Sequence, residues 1–252
     1  MAIRKANRMK LSYDEIFKYS DMLNPVSPTA LFSAGKLAQL EPKKIVLDLG
    51  SGKGFPSLLW ASIFGVRVEG FDMSKMYVEY ANSRAEMLNL SHRVKYFCED
   101  IRELKFVRKY DVVASLGLGI AQAYGDLSDA FRIFKTMLHN NGVLVLAEPV
   151  WLAKPIPLEV LKALGEAEDS FLTKLEIQQL MEECGFKVLG HFVSSKEDWD
   201  CYVRPIYIAM HEIIENKREL AEEARRVMDG FKAEYDAVGQ HWDMFLWVVK
   251  VH

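Results

Sequence analysis

The feature that most constrains this chain is a regular alternation of strand and helix patterns that begins at Lys44. Short apolar runs typical of buried strands occur at 45–49, 66–71, 94–98, 111–115 and 142–147. Helical patterns occur among them at 56–64, 74–88 and about 127–139. Parallel strands need crossover connections, which are usually helices. The alternation therefore predicts an α/β fold in which helices cover both faces of a parallel sheet.

The rest of the chain combines further helical patterns with two more strands. Residues 11–40 have a helical pattern that is interrupted at Pro25 and Pro28, because proline disfavours helix in the residue before it. Apolar residues at spacings of mostly three and four over 206–235 predict an amphipathic helix, broken at Gly230. A helix at 174–184 and strands at 186–194 and 245–251 complete the predicted elements.

Composition and charge exclude several classes of protein. The chain has 252 residues, half of them apolar, which is enough for a sizeable core. Its longest apolar stretches fall far short of the roughly 20 residues that a membrane helix needs, and no signal peptide pattern opens it, so we expect a cytoplasmic protein with no membrane partner. The formal net charge is -3 with both signs interleaved, which argues against DNA as a partner and disfavours RNA.

No pattern of metal ligands stands out in the sequence. The three cysteines have no C-x-x-C spacing. The stretch from His211 to Glu215 resembles a zinc-protease helix, but it lacks the second histidine one turn on that would complete the ligand pair. We therefore predict neither a metal site nor disulfides.

The stretch "VLDLGSGKGFP", residues 46–56, leads from a predicted strand into a glycine-rich turn and a helix. Gly50, Gly52 and Gly54 permit backbone angles that other residues avoid and let the main chain approach a ligand closely. The helix N-terminus that follows offers unpaired N–H groups to an anion. At this point a phosphate and a carboxylate are equally good candidates.

Three details of the turn distinguish these two anions. A nucleotide P-loop would need glycine where Leu47 stands, and the dinucleotide fingerprint would need its third glycine where Phe55 stands. Asp48, at the end of the first strand, would repel a pyrophosphate. Its negative charge suits a ligand that carries an ammonium group.

Two more aspartates follow the next strands. Asp72 closes the second strand, where an acidic side chain can accept hydrogen bonds from both hydroxyls of a ribose. Asp100 follows the third strand and has Ile101 beside it, a pair that suits the amino group and the apolar face of an adenine. Because the carboxyl ends of parallel strands meet at one edge of the sheet, we expect the three aspartates to lie along that edge.

With these residues the chain resembles the class I S-adenosylmethionine-dependent methyltransferases. The motifs that carry the resemblance are "VLDLGSGKG", "VEGFDMS", "FCEDI", "YDVVASLGLG" and "GVLVLAEP". The resemblance implies a Rossmann-like doubly wound sheet of seven strands, the last of them antiparallel, with helical cap insertions. It implies S-adenosyl-L-methionine as methyl donor and S-adenosyl-L-homocysteine as product. The stretches "EPVW" and "EDWDCYVRP" are weakly similar to uncharacterised microbial small-molecule methyltransferases with a helical cap.

The resemblance also implies roles for individual residues and segments. Gly50, Ser51 and Gly52 would line the methionine part of the donor, Asp72 and Met73 the ribose and adenine, Asp100 and Ile101 the adenine edge, and Leu116 and Gly117 the face near the sulfonium. We expect a single domain over 1–252, with an N-terminal helical lid at 1–40, a donor-binding core at 41–150, cap insertions at 151–173 and 195–240, and a final strand at 241–252.

The expected reaction is a direct in-line displacement at an already activated methyl group. Proximity and alignment alone can supply roughly 7–11 kcal/mol of such a barrier, so we assign no catalytic residue. We predict a small-molecule acceptor; a regulatory protein that binds the donor without turnover and an RNA methyltransferase are the alternatives. Oligomeric state is not predicted. The candidate acceptor-binding residues are Glu148, Trp151, Tyr202, Arg204 and His211.

Overall fold

The computed structural model describes residues 10–104, 109–117 and 121–252. These residues form two compact units. We call one the sheet unit; it comprises Val26–Glu148, Leu175–Val193 and Met244–His252. We call the other the helical unit; it comprises the residues up to Pro25, Pro149–Lys174 and Ser194–Asp243.

Within the described residues, seven strands form one sheet. They are β1 (Ile45–Leu49), β2 (Arg67–Asp72), β3 (Val94–Cys98), β4 (Tyr110–Ser115), β5 (Leu138–Trp151), β6 (Phe186–Val193) and β7 (Trp242–Val251). Their order is β3-β2-β1-β4-β5-β7-β6. The strands from β3 to β5 pair in parallel, whereas β7 runs antiparallel to β6. The predicted seven-stranded, mostly parallel sheet is confirmed.

The sheet unit also contains helices. They are α2 (Pro28–Leu37), α3 (Phe55–Phe64), α4 (Lys75–Met87), α5 (Leu127–Met137) and most of α7 (Lys174–Glu183). Helix α2 begins at a proline and is capped by Ser27, so the predicted interruption at this proline is confirmed. Helix α3 packs on β2, α4 on β2 and β3, and α5 on β4. Apart from Ile45, the apolar residues of β1 and β4 are buried and belong to the core.

The helical unit contains four helices in its described part. They are α1 (Tyr13–Ile16), α6 (Leu158–Leu164), α8 (Lys196–Asn216) and α9 (Ala221–Ala237). Helix α8 packs on α9 and on α1, and α6 packs on α9. Large aromatic rings fill the interior: Trp199 meets Tyr202 and Trp242 edge to face, and Phe17 stacks on Tyr202.

The long helix predicted over 206–235 is wrong in its boundaries. Helix α8 begins at Lys196, with Ser195 as its N-cap, and continues through Pro205. The break occurs at residues 217–220, and Gly230 lies inside α9. A glycine in a helix costs only about 1 kcal/mol, and the buried face of α9 offsets that cost.

Candidate functional site

The glycine-rich turn at the carboxyl end of β1 has a conformation that requires glycine. Gly50, Gly52 and Gly54 have φ angles of 68°, 52° and 76°, in the left-handed region. Helix α3 begins directly after Gly54, and no side chain caps its N-terminus. The turn lies next to β4, where the strand order of the sheet reverses, which is the usual position of a ligand in an open α/β sheet.

Asp72 ties this turn to the start of α4. Its Oδ2 accepts a hydrogen bond from the backbone N–H of Gly52, and its Oδ1 accepts one from Ser74, each at 2.8 Å. The N–H groups of Gly50 and Ser51 both donate to the carbonyl of Phe71. The structure thus brings the predicted residues Gly50, Ser51, Gly52 and Asp72 together at one edge of the sheet.

Asp48 is a buried carboxyl group at the same edge. Its side chain is 2% exposed, and within the described part of the chain its Oδ2 has no hydrogen-bond partner. Burial raises the pKa of Asp48 to about 7, the negative charge of Asp72 raises this pKa further, and the Ser57 hydroxyl lowers it. Asp48 is therefore poised to gain or lose a proton near neutral pH.

Tyr96 and Ser57 lie beneath the turn and were missed by the sequence analysis. The Tyr96 hydroxyl donates to the carbonyl of Gly54 at 3.0 Å and lies 2.9 Å from Oγ of Ser57. Burial raises the pKa of the Tyr96 hydroxyl, so that it stays protonated at any physiological pH. The parallel pairing of β2 and β3 places Tyr96 beside Gly70, and this pairing was not visible in the sequence.

Lys53 is a further residue of the turn to which the sequence analysis gave no role. It is only 8% exposed, and its ammonium group lies over the rings of Tyr77 and Tyr80, at 5.8 and 5.3 Å from their centroids. Such cation–π contacts stabilise a desolvated ammonium group. The signal in the sequence is the pair of tyrosines near the start of α4.

Asp100 lies after β3 and forms an ion pair. Nε of Arg102 donates to both of its carboxylate oxygens, at 2.9 and 3.0 Å. The Arg102 guanidinium lowers the pKa of Asp100 to about 2, so its carboxylate stays charged. The neighbouring Ile101 is buried, and its carbonyl accepts a hydrogen bond from Tyr124. Met73 is 74% exposed.

The end of β4 supplies two more of the predicted residues. Leu116 is buried, whereas Gly117 is half-buried. Residues 118–120, which include the last two residues of the motif "YDVVASLGLG", lie outside the described residues. Ser115 is fully buried just before Leu116, and neither its Oγ nor that of Ser51 has a hydrogen-bond partner among the described residues.

Of the five candidate acceptor residues, Glu148 belongs to the sheet unit and the other four belong to the helical unit. Glu148 is a buried residue of the sheet unit, near the end of β5. In the helical unit, Trp151 is fully buried, stands beside Phe171 and donates from Nε1 to the carbonyl of Glu168 at 2.9 Å. Tyr202 lies on the buried face of α8, whereas Arg204 and His211 lie on its exposed face.

The described residues include no group of three or more His, Cys, Asp or Glu side chains placed to hold a metal ion. None of the described helices combines the length and the apolar character needed to cross a bilayer.

The fold and the turn together define a class I methyltransferase architecture. A family model described as a methyltransferase domain matches residues 40–225. The chain belongs to this family, the S-adenosylmethionine-dependent methyltransferases.

Two similar proteins and one solved structure illustrate the family. The uncharacterised protein YjhP of Escherichia coli is 28% identical over 193 residues, which cover 76% of this chain and 77% of that protein. A 27-O-demethylrifamycin SV methyltransferase of Amycolatopsis mediterranei is 27% identical over 184 residues, which cover 70% of this chain and 64% of that protein. A methyltransferase from Thiobacillus denitrificans, solved with S-adenosyl-L-homocysteine, superposes with a TM-score of 0.87 at 25% identity, over 97% of this chain and 100% of that chain.

Proposed function

We propose that this methyltransferase transfers the methyl group of S-adenosylmethionine to a small-molecule acceptor by in-line displacement, and that the donor binds at the glycine turn. The observation that carries the proposal is the turn itself. Three glycines with left-handed φ angles precede an uncapped helix N-terminus, next to Asp48 and Asp72. Backbone N–H groups suit the donor's carboxylate, and the two carboxyl groups suit its cationic groups.

The polar atoms of the turn fit this donor. Oδ2 of Asp48 and Oγ of Ser51 are buried and have no hydrogen-bond partner among the described residues. Buried polar atoms in native proteins are nearly always hydrogen-bonded, so these two atoms are natural acceptors for an ammonium group. The donor supplies a methyl group on a positively charged sulfur, and the chain's part is to bind and align it.

Asp72 retains acceptor capacity for a ribose. An ionised carboxylate has about four lone-pair sites, and the N–H groups of Gly52 and Ser74 use two of them. We propose that the two vicinal hydroxyls of the ribose also donate to this carboxylate. We assign the donor to Asp48, Gly50, Ser51, Gly52, Asp72, Met73, Asp100, Ile101, Leu116 and Gly117.

A small acceptor is supported by the charge of the chain and by its relatives. The formal charge of -3 gives no broad basic surface for a nucleic acid. One similar protein is by name a methyltransferase of the small molecule 27-O-demethylrifamycin SV. Glu148 is our candidate for binding a cationic or proton-releasing acceptor group. The contributions of Trp151, Tyr202, Arg204 and His211, the lid and cap roles of 1–40, 151–173 and 195–240, and the cytoplasmic location stay predictions.

The test combines a binding and a turnover measurement on the whole protein. We expect S-adenosyl-L-homocysteine to bind in calorimetry, and we expect label from methyl-labelled donor to enter a small-molecule fraction of a cell extract. Binding without any labelled product would instead favour a regulatory role. Label in a ribonuclease-sensitive fraction would favour an RNA acceptor. Absence of binding, with a pyrophosphate-containing nucleotide bound in its place, would refute the donor assignment.

A further inference from the structure

A chain of hydroxyl groups connects the glycine turn to Asp48. Oγ of Ser57 lies 2.9 Å from the Tyr96 hydroxyl and 3.3 Å from the carbonyl oxygen of Gly54, which also accepts from Tyr96. The Ser57 hydroxyl stabilises the charged form of Asp48 by a hydrogen bond. Ser57 is completely buried and Tyr96 is 3% exposed, so water does not supply alternative partners.

The backbone of Tyr96 is fixed from a second side. Asn82 of α4 accepts from its N–H at 3.1 Å and donates to its carbonyl at 3.0 Å. The ring lies so close to the turn that a Cβ on Gly54 would lie 2.6 Å from the Tyr96 hydroxyl oxygen. The position of this hydroxyl is therefore determined by the sheet and by α4. The glycine turn packs against it at Gly54.

The hydrogen bonds that link these hydroxyl groups to Asp48 can run in either of two directions. Each hydroxyl has one hydrogen to donate. When Asp48 is charged, Ser57 donates to it, and the one hydrogen of Tyr96 is shared between Ser57 and the Gly54 carbonyl. When Asp48 carries a proton, it can donate to Ser57, which leaves both hydroxyl hydrogens for the Gly54 side. The charge of Asp48 thus decides how many donors reach the turn.

We propose that Tyr96 and Ser57 are positioning residues for the methyl donor, because their hydroxyls link the carbonyl of Gly54 to the carboxyl of Asp48. Their arrangement couples the charge of Asp48 to the shape of the turn. The proposal rests on the proposed function, since it gives these residues a task only if the donor binds at the turn. An ammonium group beside Asp48 favours the charged carboxylate, so donor binding releases a proton wherever Asp48 is protonated in the free protein.

The groups around this chain fix the expected direction of the pH dependence. Asp72 at the end of β2 opposes a charge on Asp48, and Ser57 of α3 favours it. The negative charge of Asp48 on β1 raises the pKa of Tyr96, whereas the positive charge of Arg84 on α4 lowers the pKa of Tyr96. Removal of the Ser57 hydroxyl leaves burial and Asp72 to act alone, so the pKa of Asp48 rises. The pH at which donor affinity reaches its plateau must then rise as well.

The experiment compares Ser57→Ala and Tyr96→Phe with a matched control, Tyr110→Phe. Tyr110 is also 3% exposed, and its hydroxyl donates a 2.7 Å hydrogen bond to Glu69 of β2. Calorimetry with S-adenosyl-L-homocysteine between about pH 5 and pH 9, in buffers of different ionisation enthalpy, gives affinity and proton release. Circular dichroism and urea midpoints verify that each variant is folded.

We expect the wild-type protein to bind more tightly as the pH rises and to release up to one proton. Ser57→Ala should shift the midpoint of this rise to higher pH, and Tyr96→Phe should weaken binding about twofold to tenfold, as for one lost hydrogen bond. Tyr110→Phe should change neither quantity. A purely structural role would lower the urea midpoint and leave the pH profile of binding in place.

Two contrary outcomes are distinguishable. If the wild-type protein binds with proton release but Ser57→Ala and Tyr96→Phe both match Tyr110→Phe, the inference is overturned and the proposed function stands. If the wild-type protein does not bind S-adenosyl-L-homocysteine at any pH, both fail. Ser57→Ala removes a single oxygen atom, so it decides the matter even if Tyr96→Phe does not fold.

Discussion

Gly70 and Tyr96 are direct neighbours in the parallel pairing of β2 with β3, and a Cβ atom on Gly70 would lie 2.3 Å from Cδ1 of the Tyr96 ring. The same Cβ would lie 3.0 Å from Cβ of Ser51 in the glycine turn. The tyrosine ring therefore occupies the space that a side chain at position 70 would fill. Its hydroxyl can reach the turn only because β2 has a glycine there.

Gly70→Ala should destabilise the protein by about 1–3 kcal/mol, the usual cost of overpacking a core. Gly70 is not among the glycines with a positive φ, so the loss comes from close contacts of the new methyl group, chiefly with the Tyr96 ring. Urea denaturation measures it. The control is a double-mutant cycle with Tyr96→Ala, in which the added methyl group has room and should cost much less. Equal costs in both backgrounds would contradict this account.

Gly54→Ala should be among the most damaging single substitutions in the turn. Its φ of 76° strains any residue with a side chain, and the new Cβ would also meet the Tyr96 hydroxyl oxygen at 2.6 Å. We expect a loss of about 2–4 kcal/mol in the free energy of unfolding. Gly239→Ala is the matched control: its φ is 74°, and nothing lies within 4 Å of its Cβ position. It should lose only about 1–2 kcal/mol, so comparable losses would rule out the clash.

The fold was predictable from the sequence because its strands are short apolar runs separated by helices of ordinary pattern. The bounds of α8 and α9 were not predictable in the same way, because Pro205 lies inside α8 and Gly230 lies inside α9. A proline normally ends or begins a helix, yet α8 continues through Pro205. The burial of one face of α8, which includes Trp199, Val203 and Ile206, stabilises the helix there.

The glycine turn and Asp72 were predictable because they follow the strands directly in sequence. The contact between the hydroxyls of Ser57 and Tyr96 was not predictable. It joins α3 to β3, and it depends on the pairing of β2 with β3, which no local sequence pattern reveals. Tyr96 appeared only as one apolar residue of a strand, and Ser57 as a small residue in a helix. The pair Asp100 and Arg102 was missed because the sequence does not tell which aspartates have a charged neighbour.

Asp72→Ala should weaken S-adenosyl-L-homocysteine binding by more than tenfold, which corresponds to about 1.4 kcal/mol. The substitution removes the acceptor for the N–H groups of Gly52 and Ser74 as well as the proposed ribose contact. Calorimetry measures the affinity. Asp126→Ala is the control, because its Oδ1 likewise accepts one backbone N–H at 2.8 Å, from Asp129 at the start of α5. Unchanged affinity in Asp72→Ala, or an equal loss in both variants, would count against the assignment.

Asp48 should make the stability of the protein fall as the pH rises. Its pKa is about 7 in the folded state against 3.8 for an ordinary aspartate, so the folded protein holds this proton more tightly than the unfolded chain. The contribution of the protonated Asp48 to the free energy of unfolding is fully present below about pH 4 and is lost as the pH rises through about 7. Because the pKa rises from 3.8 to about 7, this contribution to the free energy of unfolding is roughly 4 kcal/mol at most.

Asp48→Asn tests this relationship, because the amide resembles the protonated carboxyl in shape and carries no charge at any pH. We expect the variant to be about as stable as the wild-type protein at or below about pH 4 and more stable near pH 8, when urea denaturation is followed at several pH values. Between about pH 4 and pH 7 the difference in stability between the two proteins should grow with a slope that corresponds to about one proton. Parallel curves over that range would mean that the pKa of Asp48 is about the same in the folded and the unfolded protein, which would contradict the effect of burial proposed for it.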